Sequence, residues 1–181
     1  MTKRSINHCS AKSLCASMLL AVTFVFSGCT LPPKVADDLL AKVTPNQQPL
    51  VSESASITVQ INPEINNYEK IDASVRTSIE LALKNTNIFG ANAAHPYRID
   101  ANILGASQSR VSFGSFEGTL QIRYSVFDPS NNKVLDQTIS TIAGSDEHYL
   151  SGAARHRRSR AVNISKNVLE FVDILQTKLK K

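Results

Sequence analysis

The sequence predicts an α+β fold, a two-layer sandwich in which a four-stranded, mostly antiparallel sheet carries two helices on one face. Three observations lead to this prediction. Apolar and polar residues alternate in four short segments, as in strands that bury one face. Apolar residues recur at helical spacing in two longer segments. The segments follow one another in the order strand, helix, three strands, helix, which suits a sheet covered on one side only.

The first strand and the first helix are bounded by clear local signals. The segment "SITVQIN", residues 56–62, alternates apolar and polar side chains and is followed by Pro63, which cannot continue a central strand. The next segment, residues 68–87, repeats apolar residues at helical spacing. Asn66 or Asn67 can cap its start, and "NTNIFG" closes its end.

The remaining elements are three strands and a long final helix. Alternating patterns predict strands at residues 97–104, 119–127 and 134–144, and the turn-forming sequence "DPSNNK" joins the last two as a hairpin. In the final helix the apolar positions rise in alternating steps of three and four. They are Ala161, Ile164, Val168, Phe171 and Leu175.

The amino terminus has the organisation of a secretion signal. Lys3, Arg4 and Lys12 precede an apolar stretch at residues 14–26, which ends in the small pair Ser27-Gly28. This stretch of about thirteen residues is too short for a spanning helix, which needs roughly 20. A buried core helix would show a polar face, whereas this stretch is apolar all round. Residues 1–28 are therefore predicted to be a signal peptide.

The residues at the end of this segment, Phe26-Ser27-Gly28-Cys29, resemble the lipobox of bacterial lipoproteins. Phe26 departs from the aliphatic residue usual there, although it keeps the bulk and apolarity of that position. The resemblance implies that the signal is removed before Cys29 and that Cys29 then carries lipid on its sulfur and nitrogen. Since Thr30 stands where Asp typically retains enterobacterial lipoproteins on the inner membrane, it also implies an outer-membrane protein facing the periplasm.

Cysteine usage and charge narrow the function classes. The three cysteines are Cys9, Cys15 and Cys29, so the chain after Cys29 has no thiol for a disulfide, a nucleophile or a metal site. Removing residues 1–28 takes away three of the 20 Lys and Arg residues and none of the 15 Asp and Glu residues, so the net charge falls from +5 to +2. A near-neutral chain offers no general case for binding nucleic acid.

Three regions are predicted along the chain. They are the signal peptide at 1–28, a lipidated cysteine with a flexible tether at 29–55, and one α+β periplasmic domain at 56–181. The tether prediction rests on prolines and the polar sequence "TPNQQPLVSES", although the segment could equally form a ragged edge of the domain. Two turns of helix are expected within residues 35–43.

The combination of lipobox, tether and element order is similar to small outer-membrane lipoproteins, among them the lipopolysaccharide-assembly lipoprotein and the transport-auxiliary lipoproteins. The resemblance implies a non-enzymatic accessory in envelope assembly or lipid transport, which is anchored to the membrane and binds an envelope protein or an anionic lipid. It identifies no functional residue except Cys29. The alternative is a periplasmic enzyme or a peptidoglycan-binding module.

The sequence gives little support for catalysis, a metal site or a cofactor. The histidines after Cys29 are His95, expected in an extended loop, His148 and His156. Asp146, Glu147 and His148 are consecutive, which is typical of an acidic surface loop and not of metal ligands spaced along a helix. No nucleophile elbow, phosphate loop or dinucleotide fingerprint occurs. We therefore predict that the protein is not an enzyme and needs no cofactor.

Two aromatic residues lie in "VSFGSFEGT", residues 111–119. This segment is expected to form a hairpin with a bulge between two strands. Alternatively, an exposed loop could insert Phe113 and Phe116 into a partner or a membrane.

The candidate binding residues are the four arginines Arg155, Arg157, Arg158 and Arg160 in "ARHRRSR". Continuing the apolar stripe of the last helix backwards places Arg157 on the side that should face the sheet. Either the helix begins near Ser159 and leaves a solvated basic loop, or Arg157 and its neighbours present guanidinium donors to a phosphate or carboxylate.

Overall fold

The computed structural model describes residues 35–180, except 66, 68, 69, 109–115 and 146–151. The predicted signal peptide and Cys29 therefore lie outside the described residues. Seven elements follow in chain order: helix α1 at Asp37–Leu40, strand β1 at Val51–Ile61, helix α2 at Ile71–Thr86, strands β2, β3 and β4 at Phe89–Gln108, Phe116–Phe127 and Lys133–Ser145, and helix α3 at Gly152–Leu179.

The sheet confirms the predicted architecture. Within the described residues its four strands lie in the order β1-β2-β3-β4. Strand β1 is parallel to β2, as expected for two strands joined through a helix, while the pairs β2–β3 and β3–β4 are antiparallel. The predicted mostly antiparallel sheet is thus a mixed sheet with one parallel pair.

Both long helices cover the same face of this sheet. Helix α2 packs on β1 and β2, α3 packs on β3 and β4, and the two helices contact each other. The core between the layers is built from the inward residues of each strand and the apolar stripe of each helix. In β3 the alternation is complete from Phe116 to Tyr124, with every second residue buried. The two-layer α+β sandwich is therefore confirmed.

Two of the asparagines expected to bound helix α2 contact its ends, although the helix itself begins at Ile71 and ends at Thr86. The side-chain oxygen of Asn67 accepts a hydrogen bond from the backbone N–H of Ile71 at 2.7 Å, which satisfies one of the donors left open at a helix start. Asn87 follows the last turn with φ 52°, a left-handed conformation that asparagine tolerates better than most residues. The observed helix is shorter than the predicted range 68–87 because Lys70 also adopts positive φ.

The predicted tether at 29–55 is wrong for the part that the structure describes. Strand β1 begins at Val51 and not at residue 56, and helix α1 lies against α2 and α3. Helix α1 is held against the domain because the side chains of Ala36 and Leu40 are fully buried. Asn85 then donates a hydrogen bond to the carbonyl of Leu40, which fastens α1 to α2.

Strand β2 also begins earlier than predicted. It starts at Phe89 and not at residue 97, and its pairing with β1 is irregular between Asn92 and Tyr97. His95, expected in an extended loop, is exposed within this irregular part of the strand. The sequence did not predict this part of the strand because neither face is buried, so apolar and polar residues do not alternate there.

Candidate anion-binding site at the start of helix α3

The four candidate arginines lie on helix α3, which begins at Gly152. The alternative in which the helix begins near Ser159 is therefore wrong. The predicted apolar stripe is confirmed from Ala161 to Leu175, where all five of its residues are buried. Beyond Ala161 the stripe does not continue to Arg157, which is exposed. Ser159 is buried in its place, and its hydroxyl donates a hydrogen bond to the carbonyl of Phe116 in the first residue of β3.

Arg158 joins the start of α3 to α1. Its Nη1 donates a hydrogen bond to Oδ1 of Asp38 and its Nη2 donates one to Oδ2, both at 2.8 Å. The side chain of Arg158 is only 18% exposed, whereas that of Asp38 is 53% exposed. Hydrogen bonding by Arg158 lowers the pKa of Asp38 from 3.8 to about 2. This guanidinium fork is therefore used to hold the fold together.

Arg155 lies over an aromatic ring. Its guanidinium carbon is 5.3 Å from the centroid of the Phe116 ring, within the range of a cation–π contact. The Phe116 and His156 rings form a T-shaped pair, with their centroids 6.0 Å apart and their planes inclined by 76°. The Nε atom of Arg155 is buried, and no residue that the structure describes accepts a hydrogen bond from it.

Phe116 is buried, so the hypothesis that it inserts from an exposed loop into a partner is wrong. Arg155 and His156 of α3 cover the Phe116 ring. The sequence alone could not predict this contact. Phe113, the other aromatic residue of that hypothesis, lies outside the described residues.

Arg160 belongs to a polar network with the end of β2. Its Nε donates to the side-chain oxygen of Gln108 at 3.1 Å, and the amide nitrogen of Gln108 donates to the carbonyl of His156 at 2.9 Å. These hydrogen bonds link the end of β2 to the start of α3. A cavity of about 20 Å³ beside them is lined by Arg160, Asn163 and Ile164, among other residues.

The candidate site therefore has two kinds of arginine. Arg158 and Arg160 are bound to other parts of the domain, whereas Arg157 is exposed and Arg155 is half-buried over Phe116. A guanidinium presents several N–H donors in one plane, which matches the oxygens of a phosphate or a carboxylate. The arrangement can bind an anionic group without any catalytic step.

Replacing Asp38 by asparagine is expected to lower the melting temperature near neutral pH and to have little effect at pH 2. The folded-state pKa of Asp38 is lowered, so the pair with Arg158 stabilises the fold above about pH 4 and loses that effect as pH falls towards 2. Thermal unfolding of both proteins between pH 7 and pH 2 measures the difference.

The control for this change is Asp37→Asn, which alters the exposed neighbouring carboxylate on the same helix. The pKa of Asp136 is also lowered, chiefly by its hydrogen bond with Arg123. Asp136 is present in the wild type and in both variants, so its titration does not contribute to the differences between their melting temperatures. A difference between wild type and Asp38→Asn that persists unchanged at pH 2 would contradict the assignment.

The residues that the structure describes include neither a candidate metal site nor a candidate membrane-spanning helix. Among those residues no group of three or more His, Cys, Asp or Glu side chains could hold a metal ion. The consecutive Asp146, Glu147 and His148 lie outside them. None of the described helices is both long and apolar enough to cross a membrane.

The face of the sheet opposite the helices carries a shallow groove of about 660 Å³. Leu104 and Ile142, which are 37% and 73% exposed, line it together with hydroxyl and amide side chains. Leu104 lies at an irregularity in the pairing of β2 with β3, between Ile103 and Gly105. An extra residue at such a position disturbs the alternation of faces.

Comparisons with known proteins give a fold and no family. No protein-family model matches the chain, and no curated protein matches it. The structure is similar to protein XCC0632 from Xanthomonas campestris, of family DUF330, with a TM-score of 0.50 and 12% sequence identity over 75% of this chain and 91% of that one. At this identity the likeness shows the fold alone.

Two weaker likenesses are to proteins named as lipoproteins. A minor lipoprotein from Acinetobacter baumannii has a TM-score of 0.46 and 10% identity over 70% of this chain and 94% of that one. Rare lipoprotein B from Shewanella oneidensis has a TM-score of 0.39 and 11% identity over 69% of this chain and 98% of that one. Similarity at this level carries no argument about function.

Proposed function

We propose that the protein is a non-enzymatic lipoprotein of the bacterial envelope, anchored by lipid on Cys29 to the periplasmic face of the outer membrane. Its function would be that of an accessory in envelope assembly or lipid transport. The start of α3 would bind an anionic lipid or an acidic protein partner.

One observation carries the proposal: Phe26-Ser27-Gly28-Cys29 follows a basic start and a short apolar stretch, and no later cysteine occurs. Acyl chains contribute roughly 0.8 kcal/mol of membrane affinity for each buried methylene, so the two or three chains of a lipoprotein anchor it almost irreversibly. A small domain with exposed arginines and a shallow groove suits binding better than catalysis, which needs convergent polar groups in a pocket.

Labelling with radioactive palmitate tests the anchor. The wild-type protein is expected to incorporate label and to lose its signal peptide, while Cys29→Ser remains an unlabelled precursor. Cys15→Ser is the matched control, because it removes another cysteine of the same precursor and should be labelled like the wild type. Equal labelling of Cys29→Ser and the wild type would refute the lipoprotein assignment.

The accessory role has a separate test, which addresses the alternative of a periplasmic enzyme or a peptidoglycan-binding module. Purification of the intact lipoprotein from membranes in mild detergent is expected to recover one envelope protein in constant proportion. Recovery of peptidoglycan fragments instead would favour the alternative.

A further inference from the structure

The chain between the proposed lipid anchor and the folded domain is short. Ala36 is fully buried, and only seven residue steps separate it from Cys29. A fully extended chain spans at most about 3.6 Å per residue, so this connection reaches no further than about 25 Å whatever its conformation. A domain on so short a connection remains at the membrane surface. This connection is much shorter than the tether predicted at 29–55.

The first folded residues lie beside the candidate arginines. Asp38, two residues after Ala36, is held by both terminal nitrogens of Arg158. This contact joins the beginning of the domain to the second turn of α3. The first folded residues after the short connection from Cys29 therefore lie beside Arg158, which shares the first two turns of α3 with Arg155 and Arg157.

Among the described residues, the only charged side chains in the first two turns of α3 are positive. Arg157 is exposed, and Arg155 holds its guanidinium over Phe116 with a buried Nε that no described residue satisfies. Among the residues that the structure describes, the opposing carboxylates are Asp37, which is exposed, and Glu117, which is exposed on the far face of β3. Asp146 and Glu147, which precede α3 in the sequence, lie outside the described residues. Asp38 is already paired with Arg158.

We propose that the lipid-anchored domain lies directly on its own membrane, with the start of α3 turned towards the lipids and with Arg155 and Arg157 contacting anionic phosphate groups. This inference rests on the proposed lipidation of Cys29. The short connection holds the domain at the surface, and the arginines determine which end of the domain faces the phosphates. A basic surface is attracted to anionic lipid headgroups, and this attraction is screened by salt.

Fluorescence quenching in vesicles tests this orientation. After cleavage and lipidation the chain has no free thiol, so one introduced cysteine takes one fluorophore. Ala153→Cys labels the exposed first turn of α3, and Ser130→Cys labels the exposed turn between β3 and β4. Strand β3 has 12 residues, so these two positions are separated by roughly 35 Å.

The lipidated proteins are placed in vesicles of phosphatidylethanolamine and phosphatidylglycerol that contain a nitroxide-headgroup lipid. We expect strong quenching of the probe at position 153 and weak quenching at position 130. The difference should shrink in high salt, in vesicles of phosphatidylcholine alone, and in the double variant Arg155→Gln with Arg157→Gln. The matched control, Lys178→Gln with Lys180→Gln, removes the same charge from the far end of α3 and should retain the difference.

Equal quenching at the two positions in the anionic vesicles would overturn the proposal and would leave the arginines to an acidic protein partner. A difference that survives in the arginine double variant would overturn the role of Arg155 and Arg157. Both results leave the lipid anchor intact, because the protein is still attached to the vesicles. A protein without lipid at Cys29 does not attach in this way and would contradict the proposed function together with this inference.

Discussion

Replacing Phe171 by alanine is expected to lower the free energy of unfolding by about 3–5 kcal/mol. The Phe171 side chain is fully buried in the middle of α3. Its ring is stacked on that of Tyr124, with centroids 4.1 Å apart and planes inclined by 7°. The substitution removes this contact and leaves a cavity between helix and sheet, where the packed neighbours relax only partly. Urea unfolding followed by circular dichroism measures the change.

Phe127→Ala is the matched control, since it deletes the same group from a half-buried position at the end of β3. The Phe127 ring lies under the guanidinium of Arg98, 4.1 Å from its carbon atom, and contributes little to the core. We expect a loss smaller than that of Phe171→Ala by a factor of two or more. Equal losses at the two positions would contradict the observed packing of α3 on β3.

Replacing Asn167 by alanine is expected to cost several kcal/mol, even though the residue is polar. Its side-chain oxygen accepts a hydrogen bond from the Tyr124 hydroxyl at 2.9 Å, and its nitrogen donates to the Ile139 carbonyl and the Thr141 hydroxyl at 3.2 Å each. Each buried group left without a partner costs about 1–3 kcal/mol. Burial raises the pKa of Tyr124 far above its usual range, so its hydroxyl remains a donor at every working pH.

A double-mutant cycle with Tyr124→Phe isolates this hydrogen bond. If Asn167 and Tyr124 are bonded as observed, the double variant should lose less stability than the sum of the single variants, by about 0.5–3 kcal/mol. Lys166→Ala, at the exposed neighbouring position of α3, should change the stability little. Additive losses for Asn167 and Tyr124 would contradict the buried network.

The two-layer sandwich could be predicted because its core elements repeat in the sequence with the period of their secondary structure. Strand β3 alternates strictly, and α3 repeats apolar residues from Ala161 to Leu175, so both patterns record which face is buried. Helix α1 lies within residues 35–43, where a helix was expected, but its packing against α2 and α3 could not be predicted. Its only buried residue is Leu40, and one buried residue in a short helix leaves no periodic pattern.

The candidate site was predicted as a set of residues but not as an arrangement. Asp38 and Arg158 are 120 residues apart in sequence, so no local sequence pattern predicts their ion pair. The position of Arg157 could not be predicted because β3 begins at Phe116, and the α3 residues that contact Phe116 are Arg155, His156 and Ser159. Arg157 is exposed, although the helical period assigns it to the buried stripe.

The central claim is that the protein is anchored to a membrane through lipid on Cys29. Mass spectrometry of its amino-terminal tryptic peptide, from protein purified out of membranes, tests this most directly. The account predicts a peptide of residues 29–34 that begins at Cys29 and carries the mass of a diacylglyceryl group and an amide-linked acyl chain. An unmodified peptide that contains Cys29 together with residues before it would contradict the account.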